Sequence, residues 1–292
     1  MSTRRLISAA LFAGLIAAHP AAQTPSLDEV LKRSAAYVAA FHKQLSGIVA
    51  EETYRQDSAS NAAFVNFATS GQSRTLKSDL LLVKPADSDR YVELRDVFEV
   101  EGQPVRDRQA RLEGLLRNPT KDSDAQIRAI LEASAAHNIG AIQRNINTPL
   151  MALQILDTAN QSRFTFKHID KSKPVFQSAK DRAINETAVF RVSTEMWTIE
   201  FRERNRNTLI RTPDGKSLPA KGRFWIDPSN GSVLISELVV DGGGVLATVT
   251  VSYQSEPLMG FLVPVEMRES YVRRNEQISC HAAYGKFRPI GK

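Results

Sequence analysis

The stretch GRFWIDPSNGSVLISELVVDGGGVLATVTVSY, Gly222 to Tyr253, reads as three strands joined by two turns. Gly222 to Ile226, Val233 to Val240 and Leu246 to Tyr253 are rich in β-branched and aromatic residues at a period of two. Between them lie Asp227-Pro228-Ser229-Asn230-Gly231 and Asp241-Gly242-Gly243-Gly244. Glycine permits positive φ and proline cannot donate to a ladder, so these are hairpin connections. Outward from this stretch the same pattern continues through Arg163 to Ile169, Ala188 to Thr194, Met196 to Arg204, Val263 to Tyr271 and Ile278 to Phe287. No helix of crossover length interrupts the late strands, so the sheet they form is antiparallel.

The first half of the chain mixes the two periods. From Leu27 to Leu45, Val30, Leu31, Ala35, Val38, Phe41 and Leu45 recur at helical spacing, with Ser26 and Glu29 forming a capping box and Gly47 a stop. Ile48 to Arg55, Leu76 to Lys84 and Tyr91 to Val100 alternate as strands. Arg108 to Arg117, Asp124 to His137 and Pro149 to Leu156 return to the helical period. The expected fold class is therefore α+β, a curved antiparallel β-sheet with an N-terminal helix and a helical insertion at 108–156 covering one face. Residues 23–292 are read as one domain.

A chain of 292 residues with 42% hydrophobic and 24% charged residues can bury a large core, which excludes disordered and fibrous classes. Its one cysteine, Cys280, forms no internal disulfide and builds no zinc site alone. Arg4 and Arg5 followed by apolar Leu6 to Ala18 and then Pro20, Ala21 and Ala22 have the layout of a secretory signal peptide, residues 1–22. The apolar run is too short to span a bilayer, and the expected location is the periplasm or outside the cell. The formal charge of +6 is small for a chain of this length and argues against nucleic acid as a partner. One local excess stands out: Arg202, Arg204, Arg206, Arg211, Lys216, Lys221 and Arg223 against Glu203 and Asp214. This is either a solvated hairpin and loop or a contact surface for an anionic partner.

Frames for chemistry are missing. There is no Gly-x-Ser-x-Gly elbow, no Ser-x-x-Lys set and no His-Glu-x-x-His, and the histidines stand far apart, so no metal and no cofactor is expected. His42 and His137 fall on helices as ordinary satisfied or exposed side chains. Cys280 and His281 adjoin on a strand and so point to opposite faces, as do Glu51 and Glu52. Arg95-Asp96 reads as a surface ion pair. A hydrolase built from remote residues such as His168 and Asp170 is the least supported class. The inward positions Leu80, Leu82, Tyr91, Val97, Phe164, Phe166, Trp197, Ile199, Phe224 and Ile226 are candidates to line an apolar ligand site on the concave face. They are equally the default filling of an α+β core.

The hairpin Arg223 to Leu234, with its Trp-Ile-Asp-Pro turn, resembles that of the open half-barrel proteins of the bacterial envelope. These include the periplasmic outer-membrane lipoprotein carrier, its receptor and an envelope-stress sensor. Leu94 to Val100, Pro104 to Arg108, Thr208 to Thr212 and Val263 to Glu269 look like segments of a family of exported bacterial proteins with no assigned function. The resemblance implies a half-barrel and a binding activity rather than an enzymatic one. Its ligand would be acyl chains or a lipidated protein in the concave face, or an envelope protein at the rim.

Overall fold

A computed structural model describes residues 24–60, 71–84, 91–105, 107, 123–144, 146–169, 196–212 and 214–289. The signal-like segment 1–22, the helix expected at 108–117 and the strand expected at 188–194 lie outside these residues.

Helix α1 spans Leu27–Leu45, as its sequence period requires. The Ser26 hydroxyl accepts from the Glu29 backbone N–H, and the Glu29 carboxylate accepts from the Ser26 N–H at 2.7 Å, so the capping box is formed. After it come β1 (Ile48–Ser60), β2 (Gln72–Val83), β3 (Val92–Val100), the short β4 (Gln103–Pro104) and helix α2 (Ser123–Ala135). A 3-10 helix at Met151–Leu156 leads into the single turn α3 (Thr158–Gln161). The rest is β5 (Phe164–Ile169), β6 (Trp197–Glu203), the small hairpin β7 (Ile210–Arg211) and β8 (Ser217–Leu218), β9 (Ala220–Ile226), β10 (Val233–Gly242), β11 (Val245–Glu256), β12 (Phe261–Arg273) and β13 (Glu276–Pro289).

Among the described residues eleven strands form one antiparallel sheet in the order β4-β3-β2-β1-β13-β12-β11-β10-β9-β6-β5. Among the described residues its edge strands are β4 and β5 and it does not close, and the α+β half-barrel class is what the chain adopts. Register shifts in the β1–β13, β2–β3, β9–β10 and β11–β12 pairs mark bulges, which bend strands and increase twist. α1 crosses the inner face of this curved sheet. At its start, Arg33 donates to the Pro228 carbonyl in the β9–β10 turn at 2.6 Å. Toward its end, Phe41 packs edge-on against Tyr253 and Phe261, and His42 lies against Tyr91. Gly231, at φ +79°, is required here, because a Cβ would sit 2.4 Å from the α1 backbone at Arg33 and Ser34.

The middle of the chain divides between the two faces. α2 rests on the outer face, where Ile127 and Ile130 pack on Val49, Leu81 and Leu94. Residues 138–144 and 146–150 are not helical and run as a strap along the inner face, and only then does the 3-10 helix begin. Helical spacing is thus a fair guide to α2 and to the turn of 3-10 helix at Met151–Leu156, with the strap between them. Gly140 (φ +77°) turns the strap where a Cβ would strike Glu276 and Ile278.

Candidate functional site

The strap is neither a long helix nor part of the sheet ladder, and backbone of that kind buried against a sheet face must find hydrogen-bond partners outside itself. Side chains of the sheet supply them. Gln56 Oε1 accepts from the Ile139 N–H at 3.1 Å, and Gln56 Nε2 and Arg74 both donate to the His137 carbonyl. Glu276 Oε1 accepts from Ala141 N–H, Arg95 donates to the Asn147 carbonyl at 3.0 Å, and Tyr253 donates to the Pro149 carbonyl at 2.6 Å. Arg144, on the strap and buried, donates to Gln56 Oε1 at 2.6 Å and to Cys280 Sγ at 3.0 Å.

Beneath this lies a buried polar network that local sequence pattern does not announce. Arg95, expected at the surface, is 8% exposed and pairs in two places with Glu52, at 2.5 and 2.8 Å, with Ser78 donating to the same carboxylate. Asp96 is likewise buried, and the expected surface ion pair is corrected on both counts. The reason is alternation: Glu52, Tyr54 and Gln56 are consecutive inward positions of β1, and Arg95 on β3 faces them across β2. Glu269 accepts from Tyr271 at 2.6 Å and from Tyr54 at 3.3 Å, and burial holds its carboxyl above the usual range. Burial pushes the Cys280 thiol up to about 12, so it is protonated and no nucleophile at neutral pH. His281 points to the other face and bonds Glu266 at 2.8 Å.

Of the ten inward candidates, Leu80, Leu82, Val97, Phe164, Trp197, Ile199, Phe224 and Ile226 are buried in the main core with α1, while Tyr91 and Phe166 are half-buried. They are packed against their own protein. The openings of the inner face lie elsewhere. A cleft of about 430 Å³ is bounded by Ile142 and Ile146 of the strap, Leu218 of β8, Val240 of β10, Val245 and Ala247 of β11, and Tyr271 of β12. Its floor residues Ile142, Ile146, Val240, Ala247 and Tyr271 are buried, whereas Gln143, Asp214, Lys216 and Arg273 at its mouth are exposed. An apolar floor with a polar mouth is the ordinary form of a small-ligand site, and the volume is within the usual range. The signal that could have found it is the same alternation, read along β10 to β12 as well as along the earlier strands.

A second cleft, about 500 Å³, separates α1 from the start of β3 and is lined by His42, Leu82, Tyr91, Glu93 and Asp157 among others. His42, expected to be an unremarkable helix residue, is buried there, and burial lowers its pKa to about 4.

The seven basic residues do not share one surface. Arg202, Lys221 and Arg223 line an outer-face groove of about 510 Å³ with Lys167 and Glu200. Arg223 is bonded to Glu237, Arg204 donates to the Ser162 carbonyl, and Lys216 pairs with Asp214 at 2.8 Å beside the strap cleft. Arg206 and Arg211 are exposed away from the groove. His168 stacks on Trp197 at 3.8 Å, and Asp170 lies outside the described residues. Among the described residues no group of three or more His, Cys, Asp or Glu stands close enough to hold a metal ion, and no helix is long and apolar enough to cross a membrane.

No family model and no curated relative matches the sequence. Two of the solved structures to which the chain is similar describe the range. One is a domain assigned to outer-membrane lipoprotein sorting from Vibrio parahaemolyticus, 12% identical, covering 89% of this chain and 94% of that one, with a TM-score of 0.38. The other is a LolA superfamily protein from Nitrosomonas europaea, 10% identical, covering 91% and 94%, with a TM-score of 0.32.

Proposed function

We propose that the chain is an exported, non-enzymatic binding protein that takes an apolar chain, free or attached to a polypeptide, into the strap cleft of its inner face. The observation that carries this reading is the cleft itself: a buried aliphatic floor under a polar, exposed mouth, on the concave side of an open sheet. The signal-like layout of residues 1–22 supports export. The buried, protonated thiol and the neutralised Glu52–Arg95 pair favour binding over catalysis.

Native mass spectrometry of the chain from Thr24, purified without detergent and offered palmitate, tests it. Bound acyl mass is the expected result. Val245→Trp, at the half-buried entrance, is expected to reduce uptake by about tenfold or more by filling the cleft. A bare polypeptide that takes up no palmitate, or a tryptophan variant that binds as well as the parent, overturns the proposal.

A second reading, an interaction or sensory module for an acidic envelope partner, is favoured by one observation. Arg202 and Lys221 stand directly opposite each other on adjacent outer-face strands, both exposed and without a carboxylate partner among the described residues. Like charges so placed repel, by roughly 0.2–1 kcal/mol, and an acidic partner would relieve this. Salt-sensitive capture of such a partner that disappears in Arg202→Ala/Lys221→Ala would carry this reading over the first.

A further inference from the structure

The cleft between α1 and β3 holds a buried carboxyl without a counter-charge of its own. Glu93, the second residue of β3, accepts from the Leu150 N–H at 3.2 Å through Oε2 and is also bonded by the Thr148 side chain, while its Oε1 is buried with no hydrogen-bond partner among the described residues. An ionised carboxylate in that state is strongly unfavourable, because a buried charge needs both a counter-charge and filled hydrogen-bond positions. The cation that acts on it, Arg95, is already taken by Glu52. Burial, opposed by Arg95, accordingly pushes the Glu93 carboxyl up to about 8, and burial also raises Asp157, in the same cleft, to about 6. His42, on the α1 side, stays neutral and brings no positive charge.

The remaining walls say what kind of molecule fits. Ala35, Ala39, Leu82 and Leu150 offer a short apolar bed. The Tyr91 ring lies beside it, 5.6 Å from His42, and the Lys84 ammonium already stands 6.0 Å from the ring centroid, so the ring is within reach of a positive charge. We propose that this cleft is a second ligand site, for a small amphipathic amine whose ammonium meets Glu93 and Asp157 against Tyr91 while its hydrocarbon lies on the α1 alanines. Binding is non-covalent. As the ammonium arrives, the Glu93 carboxyl ionises and its proton passes to the solvent.

Calorimetric titration of the chain from Thr24 with octylammonium chloride and with octanol at pH 7, in two buffers of different protonation enthalpy, tests this. The ammonium is expected to bind about tenfold or more tightly than the alcohol, with release of up to one proton per site. Glu93→Gln is expected to bring the two probes within about twofold of each other while octanol binding stays the same. Asp157→Asn, a half-buried position that folding tolerates more easily, is expected to shrink the preference in the same direction. Val245→Trp, which closes the other cleft, is expected to leave it unchanged, so failure here and failure of the acyl-chain reading are separately visible. Equal affinity for amine and alcohol, no proton release, or a preference that survives Glu93→Gln overturns the proposal.

Discussion

Two segments cover the inner face of the sheet, and they are held by opposite means. α1 satisfies its backbone internally, so it offers the sheet only side chains, and the strands beneath it answer with Phe, Val and Met. The strap satisfies almost nothing internally, and the strands beneath it answer with Gln56, Arg74, Arg95, Tyr253 and Glu276. The same sheet face is therefore apolar under a helix and polar under a segment that forms neither a long helix nor a strand. The lesson is that a buried charge on a strand can be a backbone-binding group rather than a catalytic one, and that its presence reports the conformation of the segment above it.

The largest test of this contrast removes Arg95. Arg95→Met leaves Glu52 buried without its partner and frees the Asn147 carbonyl, and is expected to cost about 3–5 kcal/mol in denaturant unfolding. If Arg95→Met/Glu52→Leu recovers most of that loss, the pair serves to bind the strap rather than to stabilise the sheet. Gln56→Leu comes next, at about 1–3 kcal/mol, since it strips partners from Ile139, His137 and Arg144. Amide exchange should accelerate in the strap and not in α1, and equal acceleration in both would erase the distinction between the two segments. The smallest effect belongs to the helix side. Ser26→Ala removes the capping box for about 1 kcal/mol, with exchange loosened at the start of α1 alone.

Acidity sharpens the same contrast. Glu93 carries a raised pKa, so its contribution is fully present below the unfolded carboxylate value and is lost as pH climbs toward about 8. His42 carries a lowered pKa, so its contribution is present above the unfolded histidine value and is lost as pH falls toward about 4. Thermal unfolding of Glu93→Gln across that range should show a smaller decline on the alkaline side than the parent does.

The same physics decides how much of the molecule is legible in its sequence. α1 and the strands of the late hairpins can be read directly, because each buries one face and so prints its period on the sequence. The hairpin at Asp227 to Gly231 is legible from turn chemistry, and the Asp227 carboxylate does accept from Ser229 N–H at 2.9 Å. The strap is not legible, since nothing in its local pattern shows that Ile139, Ile142 and Ile146 are buried against the sheet. Nor are the burials of Glu52 and Arg95, whose pairing depends on a register between strands far apart in sequence. The clefts escape for a related reason. They lie where chain segments fail to meet, and no local pattern marks such a gap.

The pairing of β1 with β13 has a consequence for how the molecule comes into being. The earliest strand and the latest are neighbours at the middle of the sheet, so β2 and β3 cannot join the strands β9 to β12 until the last stretch of chain, up to Pro289, has arrived. Assembly is therefore a late and long-range event, of the kind that slows folding. A chain stopped short of Glu276 would leave two separate half-sheets with fresh unpaired margins at β1 and β12, each an invitation to aggregation.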